Sequence, residues 1–224
     1  MRAPPFTPDE FLAVFGSYND AIGPYAPLVL WLIAALALLA GVRDGRRGGR
    51  VLLLSLALLW AWSGVAYHWL FFRQLQPAGA LYAVAFAAQA VLLVRSGVRR
   101  TLSIQPRRDW QSAFGASVIA YAMVLYPVTS GALGHRVPAA PTFGAPCPVV
   151  MLTLGVLTMA RPRVPVVHLL IPTGWAIVGA SAAMTLGMQE DLGLPIAALG
   201  ALAALVFPGH PRARAAAAGG GAVR

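Results

Sequence analysis

The sequence predicts an all-α membrane protein: a polytopic bundle of seven transmembrane helices, preceded by an amphipathic helix that lies in the membrane interface. Two observations carry this prediction. The 224 residues are 58% hydrophobic and only 11% charged, and the mean hydropathy of +0.70 is above the usual range of water-soluble domains. The apolar residues also form long runs, and the basic residues fall in the short gaps between them.

The first predicted element is a short helix with a strong start signal. Thr7 and Glu10 have the spacing of a capping box, and Phe6 and Phe11 have the spacing of a hydrophobic staple. Apolar residues then recur at helical spacing, while acidic residues mark the opposite face, which is typical of a helix at the membrane surface. We therefore assign residues 1–23 to an N-terminal interfacial helix.

Seven apolar runs follow, and they place the transmembrane bundle within residues 24–207. A helix needs about 20 residues to cross the hydrocarbon core, and most of the runs are adequate. The fifth run is short and opens with two prolines, so a re-entrant or partial segment, with six full spans, is the alternative. The runs are 24–42, 51–72, 78–95, 111–128, 146–160, 164–188 and 192–207.

All 17 basic residues are arginines, and their distribution predicts the orientation of the chain. With seven spans, arginine-rich gaps alternate with gaps that hold only Arg2, Arg73 and Arg136. The positive-inside rule then places the amino terminus outside and the carboxyl terminus inside. The tail, residues 208–224, is expected to be disordered in the cytoplasm, because it holds too few kinds of apolar residue to pack. The arginines on the predicted inner side are Arg43, Arg46, Arg47, Arg50, Arg95, Arg99, Arg100, Arg107, Arg108, Arg161, Arg163, Arg212, Arg214 and Arg224.

The net charge of +10 does not indicate a nucleic-acid partner. No basic patch is interleaved with stacking aromatic residues, and arginines beside apolar runs instead bind anionic lipid headgroups. The expected partner is therefore the lipid bilayer. The sequence also lacks a Gly-x-Ser-x-Gly elbow, a phosphate loop and a chain of intramembrane carboxylates, so serine hydrolase, ATPase and proton pump have no motif in their favour.

Four polar side chains fall on the predicted outer side and form the candidate site. His68 lies near the outer end of the second span, His135 in the loop at 134–148, Cys147 between two prolines, and Asp191 in the turn before the last span. Imidazole, thiolate and carboxylate are the ligands of zinc or another transition metal. The spacing matches no His-x-x-x-His, Cys-x-x-Cys or His-Glu-x-x-His motif, so a shared site depends on how the helices pack.

Each of these side chains also has a plainer interpretation. His68 can bond to a carbonyl group or water at the interface, and His135 can be a solvated loop residue. Cys147 can be a small buried hydrophobe. Glu190 and Asp191 can solvate a turn and cap the last helix. Three functions therefore stay open: a metal-dependent membrane hydrolase acting on a lipid-like substrate, a protein that binds or transports a small solute or metal ion, and a non-enzymatic assembly partner.

Short motifs spread over nearly the whole chain carry a resemblance. They are Phe6-Thr7-Pro8, Tyr18-Asn19, Tyr67-His68-Trp69-Leu70-Phe71-Phe72, Tyr126-Pro127, Gly134-His135, Phe143-Gly144, Pro146-Cys147-Pro148, Thr153-x-Gly155 and Gln189-x-Asp191. With these motifs the chain resembles a family of uncharacterised bacterial integral membrane proteins, a domain of unknown function. The resemblance implies a single multi-pass domain in the bacterial inner membrane, and it brings no activity.

A looser similarity is to the seven-span zinc hydrolases that include alkaline ceramidases and the progestin and adipoQ receptors. Ser63 and His68 echo the serine and histidine on the second span of those proteins. The last span here has no histidine pair, since His210 stands alone beyond it, so the zinc site of those hydrolases does not carry over.

Overall fold

The computed structural model describes residues 5–99, 102–104, 106–161 and 163–207, and within them the regular secondary structure is helical apart from two short strands. Six helices are long and apolar enough to cross a membrane. This finding supports the prediction of a multi-pass membrane protein with a helical bundle. The predicted tail at 208–224 lies outside the described residues, as do Arg2 and Arg100.

Eight helices are present in the described part of the chain. A 3-10 turn, Gln189–Leu192, leads directly into the last helix and completes its span. The helices are α1 Pro8–Ile22, α2 Tyr25–Arg43, α3 Gly45–Leu75, α4 Gly79–Arg99, α5 Trp110–Ala132, α6 Pro146–Thr158, α7 Val167–Thr185 and α8 Gly193–Val206. Two strands, β1 Ser103–Ile104 and β2 Ala160–Arg161, pair antiparallel.

Helix α1 starts as the sequence predicts. The backbone N–H of Glu10 donates to Thr7 Oγ1 at 3.2 Å, and the backbone N–H of Thr7 donates to Glu10 Oε2 at 2.7 Å. The backbone hydrogen bond, and then the one from the Thr7 hydroxyl, lowers the pKa of Glu10. The rings of Phe6 and Phe11 stack with centroids 5.9 Å apart, so the predicted staple is also present.

Helix α6 is the buried centre of the bundle, packed against α3, α5, α7 and α8. Every one of its residues except Cys147 is buried. Its 13 residues extend for only about 20 Å, against roughly 30 Å of hydrocarbon in a bilayer. The doubtful fifth run is therefore a short central helix. Within the described ranges six helices, rather than seven, meet the length of a span, and the orientation in the membrane stays a prediction.

Helix α6 comes close to α5 where both carry glycine. A Cβ atom added at Gly115 would lie 2.5 Å from the backbone oxygen of Gly155, so no larger side chain fits without a shift of the backbone. Small residues of this kind allow membrane helices to pack backbone against backbone. Helix α7 has a similar contact. There, a Cβ added at Gly179 would meet Leu194, so this glycine also lies at a close helix contact.

The bundle has two distinct ends. At the end that we call the β end, β1 pairs with β2 and also packs against α3. Arg161 donates from Nη2 to Asp109 Oδ2 at 2.7 Å, and Asp109 caps α5 by accepting from the backbone N–H of Ser112 at 2.8 Å. Burial raises the pKa of Asp109, but the hydrogen bonds from Ser112 and Arg161 outweigh it, so the net shift in pKa is downward.

The opposite end of the bundle contains α1 and residues 133–145, and we call it the α1 end.

Candidate functional site

A cavity of about 360 Å³ opens at the α1 end, with walls from α1, α3, α4 and α7. Three of the four predicted site residues line it: His68, Cys147 and Asp191. None of the described residues that line it is an arginine. A large part of the remaining wall is aromatic, from Phe6, Phe11, Phe15, Tyr67, Phe72, Tyr82 and Trp175. The volume lies within the range of small-molecule sites in proteins, and the wall combines apolar surface with a few polar groups as such sites do.

The side chain of His68 is fully buried inside the protein. Its ring packs edge to face against Phe86 and Trp175, with centroids 4.6 and 4.9 Å away. Among the described residues, neither ring nitrogen has a hydrogen-bond partner. The residue lies in a π-helical stretch of α3, Ser63–Phe72, a local geometry that often marks functional sites.

Asp191 is the polar centre of the cavity wall. Its Oδ1 accepts a hydrogen bond from the Tyr126 hydroxyl at 2.7 Å, and its Oδ2 accepts one from the Cys147 thiol at 3.3 Å. The residue is only 2% exposed, so the interpretation as a solvated turn is wrong. Cys147 occupies the second position of α6, where the two flanking prolines and the buried helix fix its direction. The chain thus brings a thiol, a phenol and a carboxylate together from three separate elements.

His135 belongs to a different group of side chains. Its Nδ1 lies 2.9 Å from Glu190 Oε1, and the Glu190 side chain is completely buried. The Tyr121 hydroxyl donates to the backbone oxygen of Glu190 at 2.9 Å, which holds the same turn from another side. His135 lines a separate surface depression of about 760 Å³. It is neither a freely solvated loop residue nor part of the cavity wall.

The predicted four-residue metal site is not found in this arrangement. No group of three or more His, Cys, Asp or Glu side chains within the described residues is placed to hold a metal ion. The reason is that His135 pairs with Glu190, while His68 is enclosed by aromatic rings and only Cys147 and Asp191 touch each other. The structure therefore gathers three predicted residues around one cavity without forming a ligand set for an ion.

Comparison with known proteins assigns the chain to a family. Residues 8–216 match the model of a family of unknown function, DUF6064. The chain belongs to this family. No curated protein and no solved structure matches it. The predicted resemblance to an uncharacterised family is thus confirmed, whereas the comparisons give no support to a similarity with ceramidases or to a bacterial origin.

In this DUF6064 chain, Asn19 holds α1 in place beside the cavity, a role that was not predicted from the sequence. The amide nitrogen of Asn19 donates to the backbone oxygens of Pro138 and Ala140 at 2.6 and 2.8 Å. Its amide oxygen accepts from the Thr142 hydroxyl at 2.6 Å. Asn19 therefore uses both its donor and its acceptor groups to join α1 to the loop at 133–145.

A second set of contacts joins α1 and the same loop to α3. Trp62 Nε1 donates to the Tyr18 hydroxyl at 2.8 Å, and burial raises the pKa of Tyr18 to about 12. Ser63 Oγ donates to the backbone oxygen of Gly144 at 2.7 Å. Gly144 has φ of +101°, a conformation that residues with a side chain rarely adopt. Together with Asn19, these bonds position the α1 side of the cavity.

Proposed function

We propose that this protein binds an amphiphilic small molecule in the cavity at the α1 end. The apolar part of the molecule lies against the aromatic wall, and its polar group meets Asp191, Cys147 and His68. One observation carries the proposal. Of the ten buried polar atoms that lack a hydrogen-bond partner among the described residues, four belong to residues that line this cavity: Tyr67 Oη, both ring nitrogens of His68 and Trp175 Nε1.

These unpartnered atoms carry an energetic cost. A buried donor or acceptor without a hydrogen bond costs about 1–3 kcal/mol, so proteins satisfy nearly all of them. Here the three residues that carry these four atoms line a space large enough for a ligand, whereas apolar side chains in their place would carry no such cost. A bound molecule with polar atoms at that position would supply the partners. The unpartnered polar atoms therefore favour a ligand-binding cavity over a packed protein core.

The mouth of the cavity supports entry from the membrane. Ile177, on the lining face of α7, is 71% exposed. Ser181 and Thr185, one and two turns further along the same helix, are also exposed. Phe6 and Phe11 of α1 lie on the lining and are half-buried. An opening between a spanning helix and an interfacial helix suits a molecule that partitions into lipid.

The proposal predicts that a small molecule accompanies the protein through purification and that its binding requires an open cavity. Ser181→Trp places a large ring at the mouth, while Met184→Trp adds the same ring at an exposed position of α7 outside the lining. Organic extracts of the proteins purified in lipid nanodiscs are compared by mass spectrometry. We expect a species enriched over empty nanodiscs in wild type and in Met184→Trp, and reduced at least about tenfold in Ser181→Trp. Identical extracts from all three would contradict the proposal.

The fate of the bound molecule separates the functions that the sequence leaves open. Hydrolysis would convert the extracted species to products in purified protein, and transport would move it between leaflets without chemical change. A metal-dependent reaction would also require stoichiometric metal in the purified wild type, and less of it in His68→Ala. An assembly role would instead give a co-purifying protein that remains after His68→Ala. The cavity supports the first two functions over the third, because an assembly surface needs no enclosed polar site.

A further inference from the structure

The charges around the cavity indicate which class of molecule it takes. Asp191 is 2% exposed and lines the cavity. Two ion pairs form among the described residues, His135 with Glu190 and Asp109 with Arg161, and neither involves Asp191. Its hydrogen bonds come from a thiol and a phenol, which are neutral donors. Asp191 is therefore a buried acidic group without a cationic side chain beside it.

A carboxylate in this position is costly unless a positive charge approaches it. Acidic residues inside membrane proteins are rare for this reason, and they usually mark ion or substrate sites. The start of α6 beside Cys147 contributes a partial positive charge of about one half, which reduces the cost without replacing a full counter-ion. Since no arginine lines the cavity among the described residues, an anionic ligand would meet repulsion from Asp191 and no cationic side chain to offset it.

The aromatic residues of the cavity wall also favour a cationic ligand. Aromatic rings present a negative face, and a cation within about 6 Å of a ring centroid is attracted to it, most strongly when water is excluded. Tyr67, Tyr82 and Trp175 line the cavity, and the Tyr82 and Trp175 rings meet edge to face at 5.2 Å. Trp175 Nε1 and Tyr67 Oη have no partner within the described residues, so an oxygen atom near the cationic group could accept from either.

We propose that the ligand of this cavity is an amphiphilic organic cation, an ammonium group on an apolar body, held by Asp191 and the surrounding aromatic rings. This inference rests on the proposed binding function and adds the charge of the ligand to it. The ammonium group supplies the counter-ion that Asp191 lacks, and the apolar body occupies the part of the cavity between α1 and α7.

The test compares two probes of the same shape, phenyltrimethylammonium and its uncharged analogue tert-butylbenzene. Cys147 is the only cysteine and touches Asp191, so the rate of its alkylation by N-ethylmaleimide, followed by intact-protein mass spectrometry, reports occupancy of the site. In wild-type protein in nanodiscs we expect the cation to slow alkylation about tenfold, and the neutral analogue at the same concentration less than twofold. Asp191→Asn should abolish this difference, and Asp20→Asn, which changes an exposed acidic residue of α1 outside the lining, should preserve it.

The outcomes separate the two proposals. If both probes protect Cys147 equally in wild type, the cavity binds small molecules but does not select a cation, and the present inference is overturned while the proposed function stands. If neither probe protects, the inference is again overturned, and the nanodisc extracts of the Ser181→Trp protein decide on the proposed function separately. The comparison of the two probes needs only wild-type protein, so it holds even if Asp191→Asn fails to fold.

Discussion

Trp60→Ala is expected to lower the free energy of unfolding by about 3–5 kcal/mol, the range found when large aromatic side chains are removed from protein cores. Trp60 is completely buried, and it joins three helices. Its ring lies 4.3 Å from that of Phe86 on α4, and its Nε1 donates to Thr153 Oγ1 on α6 at 2.8 Å. Truncation therefore removes ring packing between α3 and α4 and the hydrogen bond that joins α3 to α6.

Equilibrium unfolding in mixed detergent micelles measures this effect. Trp69→Ala is the matched control, since Trp69 is 43% exposed and the Arg73 guanidinium lies over its ring, 4.0 Å from the centroid. We expect that control to change stability by about 1 kcal/mol or less. Trp60→Phe should give an intermediate loss, because it keeps ring packing and loses the bond to Thr153. Equal stability of Trp60→Ala and Trp69→Ala would show that the centre of the bundle is packed differently.

Asn19→Ala is expected to release α1 from the bundle while the spanning helices keep their structure. The substitution leaves two backbone oxygens and the Thr142 hydroxyl without their partner. Each lost buried hydrogen bond costs about 1–3 kcal/mol, so the local free energy of docking should fall by several kcal/mol. Hydrogen exchange of residues 8–22 should then become at least about tenfold faster, since a local opening exposes those amides.

Asp20→Ala is the control for this substitution, because Asp20 is exposed and makes no side-chain hydrogen bond in the described part of the chain. Its exchange rates in α1 should match wild type. Release of α1 should also increase the rate at which Cys147 reacts with N-ethylmaleimide, since α1 contributes Phe6, Phe11 and Phe15 to the cavity wall. Unchanged exchange in Asn19→Ala would mean that the aromatic contacts alone hold α1 in place.

Local sequence patterns predicted the features that depend on near neighbours. The capping box of Thr7 and Glu10 formed, because both partners lie within one turn of one helix. The apolar runs became helices with boundaries shifted by a few residues, apart from the second, which starts earlier at Gly45, and the fifth, which forms a short central helix. Hydropathy recognised the apolar character of 146–160, but it could not distinguish burial by other helices from burial by lipid.

The candidate site was predicted only in part, because its contacts join distant parts of the chain. Cys147 was correctly grouped with Asp191, from the expectation that their loops share one end of the bundle. The pairing of His135 with Glu190 was missed, since no local spacing distinguishes a loop histidine from a buried partner. Asn19 and Tyr126 belong to short motifs of the family resemblance, but those motifs assigned them no role. Their importance comes from hydrogen bonds across more than 60 residues of sequence.

The most direct test of the account is the reactivity of Cys147 in the folded protein. We predict that N-ethylmaleimide alkylates Cys147 in nanodiscs under native conditions, and that Ser181→Trp slows the reaction at least about tenfold by closing the cavity mouth, while Met184→Trp leaves the rate unchanged. If Cys147 instead reacts only when the protein unfolds, at the same rate in all three proteins, the thiol lies in a closed core and the cavity is not a binding site.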